Sequence, residues 1–214
     1  MHSEVFLVAG PNRLPRIECR GGLQARCTMP DTVHLVSSAA TPLGGDTIDI
    51  RVVVEPGGAL RLRSAAATVA LPGADTVTSH ARWEMEVAGC LDVDLEPTVV
   101  AADARHLSSV LLRLCDDGRV RIRERVQIGR CNEQQGFWSG SLRADRDGRP
   151  LLRHRVELGA GSVADDVIGA PRGNVNEFRY PATTFAEAIQ PGSTVLELAE
   201  GGTLSTWQTD RLVD

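Results

Sequence analysis

The chain contains no lysine: every one of its 23 basic residues is arginine. Genome base composition accounts for this as readily as function does, although guanidinium groups suit forked contacts with carboxylates at interfaces. Asp and Glu number 28, and the net charge of −5 removes the electrostatic basis for binding nucleic acid. No window approaches the roughly 18 uninterrupted apolar residues of a membrane helix, so no membrane partner is expected. The opening stretch MHSEVFLVAG has no basic leader, carries Glu4 early and has too short an apolar run for a signal-peptide core. A cytoplasmic location is the expectation. Five cysteines, Cys19, Cys27, Cys90, Cys115 and Cys131, form no C-x-x-C pair and are odd in number. Neither a zinc site nor a complete disulfide framework is suggested, and reduced thiols are expected.

Several catalytic and cofactor signatures fail on inspection. Five histidines, His2, His34, His80, His106 and His154, are scattered with no pair at helical ligand spacing, so a tight preformed metal cage is not visible. GAGSVA, from Gly159 to Ala164, matches a dinucleotide fingerprint. Only a few residues separate it from Gly169-Ala170-Pro171, too few for the crossover helix and second parallel strand. RADRDG resembles part of a calcium loop, but Arg143 stands at its first ligand position and His154 where a bidentate Glu belongs. Ser37, Ser38, Ser139 and Ser141 sit in no nucleophile elbow. No catalytic residue is assigned, and an enzyme is not expected.

What the sequence does have is alternation. The 214 residues, 42% of them hydrophobic, suit a single domain over residues 1–214. In TPLGGDTIDIRVVVEPGGALRLRSAAAT, Thr41 to Thr68, Ile48, Ile50, Val52 and Val54 share one face of a strand. Leu60 and Leu62 resume the pattern after Pro56-Gly57-Gly58. Trp83, Met85 and Val87 precede Gly89, and Leu91, Val93 and Leu95 follow it. Asp117-Gly118 and Asp147-Gly148 punctuate two further pairs of runs. The turn glycines Gly57, Gly89, Gly118 and Gly148 lie 32, 29 and 30 residues apart. A solenoid or propeller has units of such length. Because no residue signature repeats, the spacing is read as a succession of antiparallel hairpins in curved, packed sheets, making the fold mainly β. Gly159 to Ala182 reads as a long irregular connection. TTFAEAIQPG predicts one short helix near the C-terminus, capped by Thr184 and Glu187 and stopped by Pro191-Gly192. Two closing strands, Thr194 to Ala199 and Thr203 to Gln208, flank Gly201-Gly202.

Two polar positions interrupt apolar faces. Glu124 falls among Val120, Ile122, Val126 and Ile128, so its carboxyl must be paired, line a polar cavity or meet an interface. His154 accompanies Leu152, Val156 and Leu158, as a hydrogen-bonded core residue or a ligand. The row Arg119, Arg121, Arg123 and Arg125 is either a solvated face or a match for a partner's acidic surface.

Taken together, three segments resemble the urease accessory protein D family, UreD, also called UreH. The first is Thr41 to Thr68, with Gly44, Gly45, Pro56, Gly57 and the Ala-Ala-Thr that ends at Thr68 in family order. The second is LEPTVVAADARH, with the Pro97-Thr98 step and a downstream Ala-Arg. The third is GFWSGSLRADRDGRPLLRHRVEL, with Trp138, Gly140 and the hairpin at Gly148. Val69-Ala70-Leu71-Pro72 departs from the Lys-Val-Tyr-Arg kind of continuation after the Ala-Ala-Thr, and the chain is shorter than many members.

The resemblance implies a β-rich, non-enzymatic scaffold for urease maturation. It would bind apo-urease and accessory protein F, which recruits the nickel-carrying GTPase, accessory protein G, so that nickel reaches the urease active site. No tightly bound cofactor is implied. A transfer scaffold holds nickel weakly and transiently, because a tight site would trap it. Asp46, Asp103, Glu124 and His154, acidic or imidazole groups in or beside the matching segments, are the candidate path residues; Asp46 equally suits a hydrogen bond to its own turn. The competing reading is a β-rich ligand-binding or structural module with no metal role, in which Trp83, Trp138 and Trp207 are core or sugar-stacking groups.

Overall fold

In the computed structural model, which describes residues 1–133, 135–163, 165, 170–183, 185 and 188–212, every regular element is a strand. The chain opens with β1 (His2–Ala9), β2 (Arg16–Arg20), β3 (Leu23–Met29) and β4 (Thr32–Ser37). Then come β5 (Thr47–Val54), β6 (Ala59–Ser64), β7 (Thr68–Ala70), β8 (Thr78–Val87), β9 (Cys90–Asp94) and β10 (Thr98–Val100). Next are β11 (Arg105–Leu114), β12 (Arg119–Ile128), β13 (Phe137–Arg146) and β14 (Arg149–Gly159). The last are β15 (Gly173–Tyr180), β16 (Thr194–Glu197) and β17 (Thr203–Thr209).

The turn at Pro56-Gly57-Gly58 does not fold β6 back beside β5. It carries the chain from one sheet to the other. The first sheet runs β14-β13-β11-β8-β5-β1-β2, and its β1, β5, β8, β11 and β13 are mutually parallel. The second runs β16-β17-β15-β12-β9-β6-β4-β3, with β4, β6, β9 and β12 parallel. Short β7 and β10 add a parallel ledge beside Val126–Ile128. From β4 to β13 the long strands thus alternate between sheets in a solenoid-like winding, and the near-30-residue glycine spacing is the length of one coil. The three pairs expected as hairpins around Gly57, Gly89 and Gly118 are corrected accordingly.

The physical reason is that period-two alternation fixes which face is buried but not which strand is the neighbour. Parallel strands usually have both faces covered and read as continuous apolar runs. Here each parallel strand has one face on the core and one outside, so its pattern imitates an antiparallel hairpin. The turns themselves stack: Cys90 N donates to Gly58 O at 2.9 Å and Arg119 N to Gly89 O at 2.8 Å. A Cβ at Gly89 would stand 2.3 Å from Gly58 O, which is why that turn takes glycine.

Two expected hairpins are present. β13 and β14 join through Asp147-Gly148, where both residues have positive φ (48° and 77°), and β16 pairs β17 across Gly201-Gly202. The expected C-terminal helix is not found. Residues 185 and 188–190 are irregular, while 184, 186 and 187, including both capping-box positions, lie outside the described residues. The irregular connection expected over Gly159 to Ala182 instead contains β15, buried at all eight positions and held between β12 and β17.

The main core lies between the sheets: Leu7, Val52, Val87 and Leu112 from the first meet Leu62, Leu91, Val120 and Phe178 from the second. Burying each such side chain contributes roughly 1.5–3 kcal/mol. A smaller cluster around Val126, Ile128, Trp138 and Leu158 closes the end near β7 and β10.

Candidate functional site: a polar cluster between the sheets

The inward face of β12 runs Val120, Ile122, Glu124, Val126, and β15 places Asn176 directly beside Glu124 in register. From the opposite sheet β11 contributes His106 and Ser108, and β14 contributes His154. All five polar residues line one cavity of about 270 Å³. Its remaining walls are largely apolar, among them Leu35, Ile48, Ile50, Trp83, Met85 and Val93. Ser37, Ala65, Ala66, Ala67 and Glu96 also line it and are exposed, so the cavity reaches the surface there.

The polar end is built for neutral groups. Enclosure by protein pushes the Glu124 carboxyl up to about 7, against the pull of hydrogen bonds from Ser108 and Asn176. Ser108 Oγ donates to Glu124 Oε1 at 3.3 Å. Burial, with His80 adding to it, pushes His106 down to about 4, so it is neutral, with Nδ1 2.9 Å from Ser79 Oγ. Burial likewise lowers His154, partly offset by Asn176, and its Nε2 is buried with no hydrogen-bond partner among the described residues. A carboxyl that ionises near neutrality, beside imidazoles that stay uncharged, can accept one cation and give up one proton. Among the described residues no three His, Cys, Asp or Glu side chains converge into a metal cage.

Of the four path candidates, the fold brings Glu124 and His154 together and leaves Asp46 and Asp103 elsewhere. Asp46 is buried as an anchor: it accepts hydrogen bonds from Thr41 Oγ and Leu43 N, both at 2.9 Å, and from the Met1 ammonium. Burial raises its pKa, but these donors outweigh it and leave it lowered. Asp103 is exposed in a turn with φ 61°. The motif residues serve the frame. Gly44 lies against the 73–76 loop, where a Cβ would meet Thr76 O at 1.8 Å, and Gly45 has φ 91°. Pro56 and Gly57 make the first stacked turn, and Gly148 the β13–β14 hairpin. Thr68 and Thr98 pair across β7 and β10 and line the cavity, and Pro97 O accepts from Thr68 N. Trp138 is fully buried beside Gly140, which a Cβ would drive into the indole at 2.2 Å.

Sequence reasoning missed Asn176, Ser108 and His106. A signal existed for Asn176: in GNVNEFRY it shares a face with Asn174, Phe178 and Tyr180, a strand pattern hidden by its polar residues. The arginine row also differs from a solvated face. Arg121 is 3% exposed and reaches Asp92 at 3.0 Å, Glu177 at 3.1 Å and Asp94 at 3.4 Å. Arg63 pairs Asp92, and Arg125 reaches Asp94 at 3.1 Å.

A coiled two-sheet frame enclosing a polar-ended cavity defines a scaffold with an interior site, and comparison with known proteins makes the class specific. The sequence profile of the UreD urease accessory protein matches residues 9–207. The chain belongs to this family of urease accessory proteins. It is 42% identical over 147 residues to urease accessory protein UreD 1 of Saccharopolyspora erythraea, covering 68% of this chain and 58% of that protein. Against UreD of Frankia alni it is 43% identical over 146 residues, 66% of this chain and 45% of the other. The chain thus spans about half the length of these curated relatives. Among the described residues no helix is long and apolar enough to cross a membrane.

Proposed function

We propose that this chain is a non-enzymatic, cytoplasmic scaffold of urease maturation. It binds apo-urease and accessory protein F, and through F the nickel-carrying GTPase, accessory protein G. Nickel released by the GTPase passes toward urease along the interior cavity, held transiently by Glu124 and His154, with Asn176, Ser108 and His106 around them. Family membership supports the maturation role, and the observation that carries the nickel path is Glu124 itself. A carboxyl enclosed between two sheets beside neutral imidazoles is costly to keep unless its ionisation is used. One carboxylate and imidazole nitrogen suit a divalent nickel ion, and so small a donor set lets it go.

The test is coexpression with accessory proteins F and G and apo-urease, pull-down on a tag, and assay of nickel content and urea hydrolysis in the recovered urease. Glu124→Gln is expected to keep the complex while lowering urease nickel. If no complex forms and urease is fully active without this chain, the β-rich ligand-binding or structural module becomes the better reading.

A further inference from the structure

The outer face of the first sheet carries a second feature, unrelated to the interior chemistry. Across four neighbouring strands, Arg82 on β8, Ser109 on β11, Ser141 on β13 and Arg155 on β14 stand in one register row. The small serines leave a floor between two arginine walls. One row away, Ser139 and half-buried Leu107 extend that floor, and Arg143 and Arg153 extend the cationic rim on the other side. The resulting groove has a volume of about 720 Å³, and its outward-facing lining includes four arginines, His80 and three serines, with Glu84 and Glu157 beyond it at the ends of the neighbouring rows. In a chain of net charge −5 this is a local concentration of positive charge.

The arginines are only partly satisfied. Arg82 finds Asp49 at 3.8 Å, and Arg143 has no ion pair among the described residues. Arg153 and Arg155 pair Asp145 and Glu157 yet keep side-chain exposures of 47% and 68%. Dimensions restrict the occupant. Strands lie about 4.8 Å apart, so the walls on β8 and β14 are about 14 Å apart at the backbone. An α-helix with its side chains is about 10–12 Å across and spans that gap, whereas a single extended strand reaches only one wall. We propose that this groove docks an acidic α-helix of a protein partner, lying along β11 and β13 with short or apolar residues on the serine and leucine floor. Its carboxylates, on both flanks, meet Arg82 on the β8 side and Arg153 and Arg155 on the β14 side, with Arg143 on β13 at one end of the floor.

The experiment uses the full chain and three synthetic 20-residue peptides, followed by fluorescence anisotropy at low and high salt. One is a helix with Glu on both flanks of an Ala/Leu stripe, one has the same composition broken by two central prolines, and one replaces Glu with Lys. Saturable binding of the acidic helix alone, weakened by salt, is expected. Arg82→Glu/Arg155→Glu should reduce it at least tenfold, and Arg16→Glu, on β2 at the far edge of the same sheet, should leave it unchanged. Ser109→Arg, which fills the floor without removing a charge, should also reduce binding at least tenfold, provided circular dichroism shows it folded. Equal binding of the broken peptide overturns the helix, equal loss in Arg16→Glu overturns the location, and no saturable binding overturns the proposal.

Discussion

Glu124 and Ser108 meet across the interior, the serine hydroxyl donating to Oε1 at 3.3 Å, and among the described residues no cation pairs with that carboxyl. Its pKa of about 7 against an ordinary 4.5 means the folded chain keeps a proton that the unfolded chain has already lost. Stability therefore falls as pH rises from 4.5 through 7, by at most about 3 kcal/mol, since the cavity admits some water. Glu124→Gln should flatten this slope, so that the variant is the more stable protein at pH 8 and not at pH 4.5. Urea unfolding of both proteins across that range reads the difference. Parallel curves would mean that water already solvates the ionised carboxyl.

His106 predicts the opposite slope. Its folded pKa of about 4 lies below the ordinary 6.5, so the unfolded chain takes up a proton that the folded chain refuses. The contribution is complete above pH 6.5 and lost as pH falls toward 4, again about 3 kcal/mol at most. His106→Gln should make the acid limb of the stability curve shallower while leaving pH 7 to 8 unchanged in slope. An unchanged acid limb would place the charge in contact with solvent.

The stacked turns make a third prediction, on glycine positions of different kind. At Gly118 a Cβ would stand 2.2 Å from Val87 O, a backbone atom that cannot swing aside. At Gly148 nothing lies within 4 Å, and only the positive φ of 77° opposes a side chain. Gly118→Ala should cost about 2–4 kcal/mol by displacing the next coil, and Gly148→Ala about 1 kcal/mol. Urea midpoints of the two variants check the order; a reversed order would mean the coils slide past each other freely.

Those same glycines mark what the sequence made legible. Gly57, Gly89, Gly118 and Gly148 were visible as turns, and the inward residues Ile50, Leu62, Val93 and Leu112 as the buried face, because both follow from local backbone sterics and a period of two. Pairing partners were not visible. Ile48 lies beside Ala81 and Ser108 beside Gly140, neighbours a whole coil away, and nothing in local pattern encodes that separation. At the interior site, Glu124 and His154 stood out as polar residues on apolar faces. Asn176 did not, because β15 is a buried strand whose Asn174, Asn176, Glu177 and Arg179 disguise it as a loop. Asp46 and Asp103 were acidic groups in or beside the family-like segments, and the fold uses the first as an anchor and exposes the second.

Arg121 supplies the last prediction, because it is held by three carboxylates and almost wholly shielded from water. Asp92 and Glu177 are themselves 7% and 6% exposed, so removing the guanidinium leaves Asp92 with Arg63 alone and Glu177 with Arg179 and Arg123, and with little solvent to make up the difference. Arg121→Leu should cost about 3–5 kcal/mol at pH 7. Arg119→Ala, exposed on the same strand, should stay within about 0.5 kcal/mol. The loss at Arg121 arises from buried carboxylates left with one cation fewer more than from lost attraction, since desolvating an ion pair cancels much of its Coulomb gain. Two consequences distinguish these causes. Lowering the pH to protonate the carboxylates should narrow the gap between wild type and Arg121→Leu, and adding Asp92→Asn should recover part of the lost stability, Arg63 then turning to solvent, whereas Glu177 is left in place because it also holds buried Arg179. If the double variant is no more stable than the single one, attraction within the network outweighs its desolvation, and the ion cluster holds the second sheet together.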